Sequence, residues 1–123
     1  MSEDSASTLV GRSFRIAAVS GIPTLETPVA DIRFGVDGRV TGRATVNRFF
    51  GPYEIHADVL TLGPLATTLM ASRPEAMDQE KRVHEALSRR LTVAPSDDGR
   101  RVELRDAGEV VLLLVRRDAE QSL

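Results

Sequence analysis

A chain of 123 residues with no cysteine, 16 basic against 18 acidic side chains and a formal charge of −2 is the size of one domain, long enough to bury roughly 65–70% of the surface its unfolded form exposes. The lack of cysteine excludes disulfides, Cys–zinc centres and thiol catalysis, and the near-balanced charge supplies no global field for a phosphate backbone, so no nucleic acid partner is expected. Lys81 is the only lysine among the 16 basic residues, a bias that reflects genome composition or else a surface chemistry built on arginine.

The opening, MSEDSAST, is polar and acidic where a signal peptide needs a basic flank and an apolar core. The longest apolar run, Val110 to Val115, is too short to cross a bilayer. A soluble, cytoplasmic chain with no membrane span is the expectation, with flexible ends at 1–8 and 118–123 around one domain at 9–117.

Two-residue periodicity then dominates. GRSFRIAAV puts Phe14, Ile16 and Ala18 on one face, ADIRFGV does so with Ile32 and Phe34, and RVTGRATVN places Val40, Gly42, Ala44 and Val46 inward and Arg39, Thr41, Arg43 and Thr45 outward. These patterns predict half-buried antiparallel strands. Asp37-Gly38, Asp98-Gly99 and Ala107-Gly108 are turn signals.

The stretch TGRATVNRFFGPYEIHADV, Thr41 to Val59, holds three of the five aromatics. Asn47 is placed to end a strand and bond backbone, Gly51 before Pro52 to set a turn, and Phe49, Phe50 and Tyr53 to close the end of the core. Packing is the favoured role for this corner; a binding lip is the alternative.

From Ser72 the period changes. Ser72 is a plausible N-cap, Glu75 completes a capping box, Pro74 suits the first turn, and Arg89 and Arg90 suit the last, predicting one helix near 73–90. Its apolar stripe is Ala76, Val83, Leu87 and Leu91, and Glu80 falls on that stripe. LTVAPS, RRVELRD and EVVLLLVRR then read as a meander whose last strand is apolar on both faces and so covered on both sides. About eight strands with one inserted helix predict a mainly β (α+β) domain, a small antiparallel barrel or strongly curled sheet with the helix packed on it.

At this point the chain resembles the META domain, the family of HslJ-like heat-inducible proteins. Leu9-x-Gly11 followed by Phe14 is similar to the family's opening. Gly42-Arg-Ala-Thr45-Val46-Asn47-Arg-Phe49-Phe-Gly51-Pro-Tyr53 is similar to its central signature, G-x-x-G-C-N-x-[FY]-x-G-x-Y, and Thr68-Leu69-Met70-Ala71-Ser72 with Glu80-x-x-Val83-x-x-x-Leu87 to its second, T-[RK]-M-A-C before a helix. The departures are Thr45 for glycine, Leu69 for a basic residue, and Val46 and Ser72 for the two cysteines. Paired loss of both cysteines suggests that the segments ending at Val46 and leading into Ser72 lie side by side. The resemblance implies a compact barrel-like domain, often exported or attached to the envelope, associated with stress or drug tolerance and without established enzymatic chemistry. Asn47, Phe49, Gly51, Tyr53, Thr68, Met70 and Glu80 are the signature positions it carries over, as binding or structural residues.

Chemistry-bearing residues are sparse. Glu54, His56 and Asp58 share one strand face and are metal-ligand types, but they suit the wet side of a strand whose buried side is Ile55, Ala57 and Val59. His84-Glu85 lacks the second histidine of a zincin motif, since position 88 is Ser88, and His84 reads as a solvated helix residue. Glu80 on an apolar stripe needs partners; a structural latch taking bonds from Asn47, Thr68 or backbone N–H groups is favoured over a functional acid. With no nucleophile elbow, phosphate loop or triad, the expectation is a non-catalytic, stress-associated binding or structural protein. It needs no cofactor, meets an unknown protein or small-molecule partner, and is a monomer or weak homodimer. The alternatives are a carrier using the barrel interior and a metal-dependent enzyme on the Glu54/His56/Asp58 face.

Overall fold

The computed structural model describes residues 5–117; the expectations for residues 1–4 and 118–123 lie outside them. A short helix, α1 (Ser5–Leu9), leads into β1 (Arg12–Val19), β2 (Ile22–Pro23), β3 (Asp31–Phe34), β4 (Arg39–Arg43), β5 (Arg48–His56), β6 (Val59–Leu62) and β7 (Ala66–Thr67). After α2 (Pro74–Leu87) come β8 (Leu91–Pro95), β9 (Arg101–Asp106) and β10 (Glu109–Arg116). Among the described residues, eight antiparallel strands run β10-β9-β8-β6-β5-β4-β3-β1 and close into a barrel because β1 also pairs with β10. The short β2 and β7 are additions on β1 and β5. Where the expected domain begins, Leu9 is fully buried and Gly11 N–H donates to the Phe34 carbonyl at 2.6 Å.

Alternation builds the core. Phe14, Ile16, Ile32, Phe34, Val40, Phe49, Leu60, Leu104, Leu112 and Leu114 all project inward and are fully or almost fully buried. The predicted hairpin turns fall where Gly tolerates left-handed backbone; at the β9–β10 turn Ala107 (φ 53°) and Gly108 (φ 87°) are both left-handed, as a tight two-residue hairpin requires.

Irregularities in the ladder account for several displaced expectations. A bulge in β1 between Ile16 and Ala18 flips the alternation, so Val19 is buried and Ala18 only half-buried. β4 ends at Arg43, and the bend at 44–47 turns Thr45 inward (φ 147°), where it is fully buried. Gly51-Pro52 makes no turn. It lies inside β5 where one edge of that strand passes from β7 to β6, and Gly51 gives room to the loop carrying Pro64 and Leu65. Phe49 is buried but its neighbour Phe50 faces out, because alternation within β5 continues through the pair. The outer side of β10 is not covered: Leu113 and Val115 are half-exposed and Val110 exposed.

The helix also starts later than expected. Arg73 is the N-cap, Pro74 takes the first helical position and no side chain caps the end. Arg89 and Arg90 fall beyond the C-cap Ser88, and Leu91 belongs to β8. The two helices meet opposite ends of the barrel. α1 leads to Gly11, bonded to Phe34 beside the start of β4, whereas α2 is bonded through Glu80 to the bend that follows the end of β4.

At the α1 end Phe14, Phe34 and Tyr53 meet edge to face, with centroids 6.0 and 5.3 Å apart, and the Tyr53 hydroxyl donates to the Gly35 carbonyl at 2.7 Å. Burial, helped by the Asp37 carboxylate, raises the Tyr53 phenol above its ordinary 10.0. Because the folded state holds this proton more tightly, its contribution to stability is complete below the unfolded value and is lost as pH rises through the folded one. Tyr53 is the only tyrosine and there is no tryptophan, so phenolate absorbance reports it alone. The expected midpoint lies above 10.0 in the native protein and returns to that value in denaturant; identical midpoints in the two states contradict the burial of the phenol beside Asp37.

Candidate functional site

The polar residues that the sequence singles out around Asn47 gather between α2 and the bend at 44–47. Glu80 sits one turn before Val83 and two before Leu87, on the buried side of α2. Its Oε1 accepts from the backbone N–H groups of Val46 and Asn47, each at 2.7 Å, and its Oε2 accepts from Asn47 Nδ2 at 2.6 Å. The Asn47 amide goes on to the segment before the helix. Nδ2 also donates to the Met70 carbonyl (3.0 Å), while Oδ1 accepts from Met70 N–H (2.6 Å) and from the Thr68 hydroxyl (2.9 Å). That orientation is dictated by chemistry, since a backbone N–H at one end and a carboxylate at the other admit only one placement of oxygen and nitrogen.

The neighbouring Gln79 was not anticipated. Its Oε1 accepts from Leu25 N–H at 2.8 Å and its Nε2 donates to the Thr45 hydroxyl at 2.8 Å, so it ties the loop after β2 to the same bend. A polar residue adjacent to Glu80 on a short amphipathic helix was the available signal. The Asn47 side chain bonds the backbone of Met70, two residues before Ser72, so the segments leading to these positions meet there. Thr68 bonds Asn47 and Arg48 N–H, and makes no bond to Glu80.

Each polar side-chain atom of Thr45, Asn47, Gln79 and Glu80 therefore has an internal partner, and these four residues are buried while Thr68 and Met70 on the outer side of the corner are exposed. His84 is half-buried with its ring edge to face against Phe49 at 6.2 Å, so it is a packing residue and not a solvated one. The chemistry available here is cohesion between helix and barrel.

The barrel interior is filled by side chains, with Phe14, Phe34, Phe49, Leu60, Leu104 and Leu112 fully buried within one cluster. An open groove of about 710 Å³ lies instead on the outer face of β3, β4 and β5, walled by Thr27, Pro28 and Val29. Arg43 and Arg48 are directly opposed across the β4–β5 ladder on this face, and Phe50 lies two residues beyond Arg48, 52% exposed. Asp31 supplies the groove's acid: its Oδ1 accepts from Arg43 N–H (3.1 Å) and its Oδ2 from Arg117 Nη1 (2.9 Å). Strand alternation gives the outward face of Arg43, but pairing with Arg48 depends on the length of the bend between them, which local sequence does not announce.

The proposed metal face does not assemble. Glu54 and His56 lie on the outer side of β5 with the His56 Nε2 3.4 Å from Glu54 Oε1, both largely exposed, but the strand ends at His56 and Asp58 belongs to the following turn, where Ala57 has φ 56°. Among the described residues no group of three His, Cys, Asp or Glu side chains is placed to hold a metal ion. Among the described residues no helix is long and apolar enough to cross a membrane.

Comparison with known proteins completes the picture. A family model described as META domain matches residues 7–119. A structure solved by NMR is 23% identical over 97% of this chain and 98% of its own, with a TM-score of 0.74. A second NMR structure, of a protein from Burkholderia xenovorans, is 19% identical over 94% of this chain and 92% of its own, with a TM-score of 0.72. At such identities the likeness is one of fold. The comparison with curated proteins finds no match.

Proposed function

Since the chain belongs to the META domain family, we propose that it is a non-catalytic, stress-associated binding domain that meets its ligand on the outside of the barrel. The observation that carries this reading is the state of its sequestered polar groups. Glu80, Asn47, Gln79 and Thr45, the buried side chains with most chemical potential, spend their hydrogen bonds on one another and on backbone, whereas catalytic acids and bases need a cleft and a free atom aimed into it. The carrier alternative has less support, because ligand-binding barrels keep an interior wide enough for a small molecule and this one is packed with Phe and Leu side chains.

A thermal-shift screen against neutral apolar ligands and divalent metals separates the readings, since a ligand that binds only the native state raises its melting temperature. The outer-face reading expects no stabilisation by neutral apolar ligands and no loss on adding a chelator. A shift of several degrees with a neutral apolar ligand favours the carrier, and a loss with EDTA favours the metal site.

A further inference from the structure

Resting on the outer-face reading, we propose that the groove over β3, β4 and β5 is a binding site for a small organic anion that carries a flat apolar body. The argument begins with an arrangement that folding alone does not favour. Arg43 and Arg48 are direct partners in an antiparallel ladder with their side chains on the same outer face, and like charges so opposed destabilise a sheet. Neither guanidinium has an ion-pair partner among the described residues: the groove's acid, Asp31, gives one oxygen to the Arg43 backbone and the other to Arg117. Two uncompensated arginine forks side by side match a carboxylate, sulfonate or phosphate group, which they can grip through paired N–H donors.

Beside this charge lies an apolar platform. Phe50 projects from the same face of β5 while the equally large Phe49 is fully buried, and Val29 is 36% exposed on the opposite wall. The groove's volume of about 710 Å³ falls within the range of small-molecule sites, roughly 300–1,000 Å³. Charge at one end and an exposed ring with an aliphatic wall at the other specify an amphipathic anion. A nucleic acid strand would use similar groups, but the chain's formal charge of −2 gives it no general attraction for a polyanion.

The test is an amide-resolved NMR titration of the full chain with four probes: 2-naphthoate, the neutral 2-naphthylmethanol, inorganic phosphate and oligothymidylate. Shifts with 2-naphthoate are expected at Thr41 to Arg43 and Arg48 to Phe50. Binding of the neutral alcohol and of phosphate should each be weaker by about tenfold or more, the effect of losing one charged hydrogen-bonded pair or one apolar face. R43Q/R48Q should weaken 2-naphthoate by a similar factor while melting no lower than the parent, because the opposed charges are gone, and F50A should weaken it severalfold. Unaltered affinity in R43Q/R48Q, equal affinity for the neutral alcohol or for phosphate, tighter binding of oligothymidylate, or no binding of 2-naphthoate would each overturn the proposal. Shifts elsewhere on the outer surface overturn the groove alone, whereas shifts centred on Phe14 and Leu104 overturn the outer-face reading with it.

Discussion

Replacing Glu80 by alanine is expected to destabilise the fold by about 3–5 kcal/mol, because it leaves several buried donors without their acceptor. The substitution strands the N–H groups of Val46 and Asn47, which sit at a buried bend, and removes an acceptor from Asn47 Nδ2. Each unsatisfied buried donor carries a penalty of roughly 1–3 kcal/mol. Glutamine is no remedy, because its amide nitrogen would face the Asn47 nitrogen, and Asn47 cannot turn over while Met70 N–H and the Thr68 hydroxyl point at its oxygen. Urea unfolding followed by circular dichroism measures the change; a midpoint close to that of the parent would show that water reaches the corner.

The second large effect is expected at Gly42. A Cβ there would lie 2.2 Å from the Asp31 carbonyl oxygen and 2.8 Å from the tip of the Phe49 ring, and 3.0 Å from the Ile32 Cα. Two of these three atoms are backbone of the neighbouring strand, so relief requires β3 and β4 to separate within a closed barrel. Gly42 and Phe49 are cross-strand partners, and the ring occupies the space a side chain would have taken. Gly42→Ala should therefore destabilise by about 3 kcal/mol, at the upper end of small-to-large substitutions, and lower the melting temperature by roughly 10 °C. The control is Gly99→Ala, whose Cβ meets nothing within 4 Å and which bears only the strain of its left-handed backbone; an equal loss in both variants would remove the close-approach argument.

Most of the barrel was legible because alternation is a local signal. Phe14, Ile16, Ile32, Phe34 and Val40 announce inward faces two residues apart, and the three Gly-containing turns mark the hairpins between strands. Glu80 was legible for a related reason: a carboxylate among Ala76, Val83 and Leu87 has to be met by donors, and Asn47 with its backbone meets it. What failed depends on longer-range geometry. The β1 bulge that swaps Ala18 for Val19 arises from pairing with β10, almost a hundred positions away, and no local feature reports it. Thr45 turns inward because Gln79 reaches it across the barrel end. The Gly51-Pro52 pair mimics a turn, yet the strand runs through it because β5 exchanges one neighbour for another there. The Arg43–Arg48 opposition likewise follows from a register that the bend between them sets.

The central claim is that Glu80 and Asn47 act as one hydrogen-bonded unit holding α2 to the barrel, and a double-mutant cycle measures it most directly. Asn47→Ala alone should cost roughly 1–3 kcal/mol, since it frees Met70 N–H, the Met70 carbonyl and the Thr68 hydroxyl at a partly exposed site. Once Glu80 is alanine, the bond from Asn47 Nδ2 to it is already lost, so the double variant should be less destabilised than the sum of the single ones by about 1–2 kcal/mol. Denaturant unfolding of the four proteins gives that difference; additivity within about 0.5 kcal/mol would mean that the two residues act independently and that the corner is not the latch described.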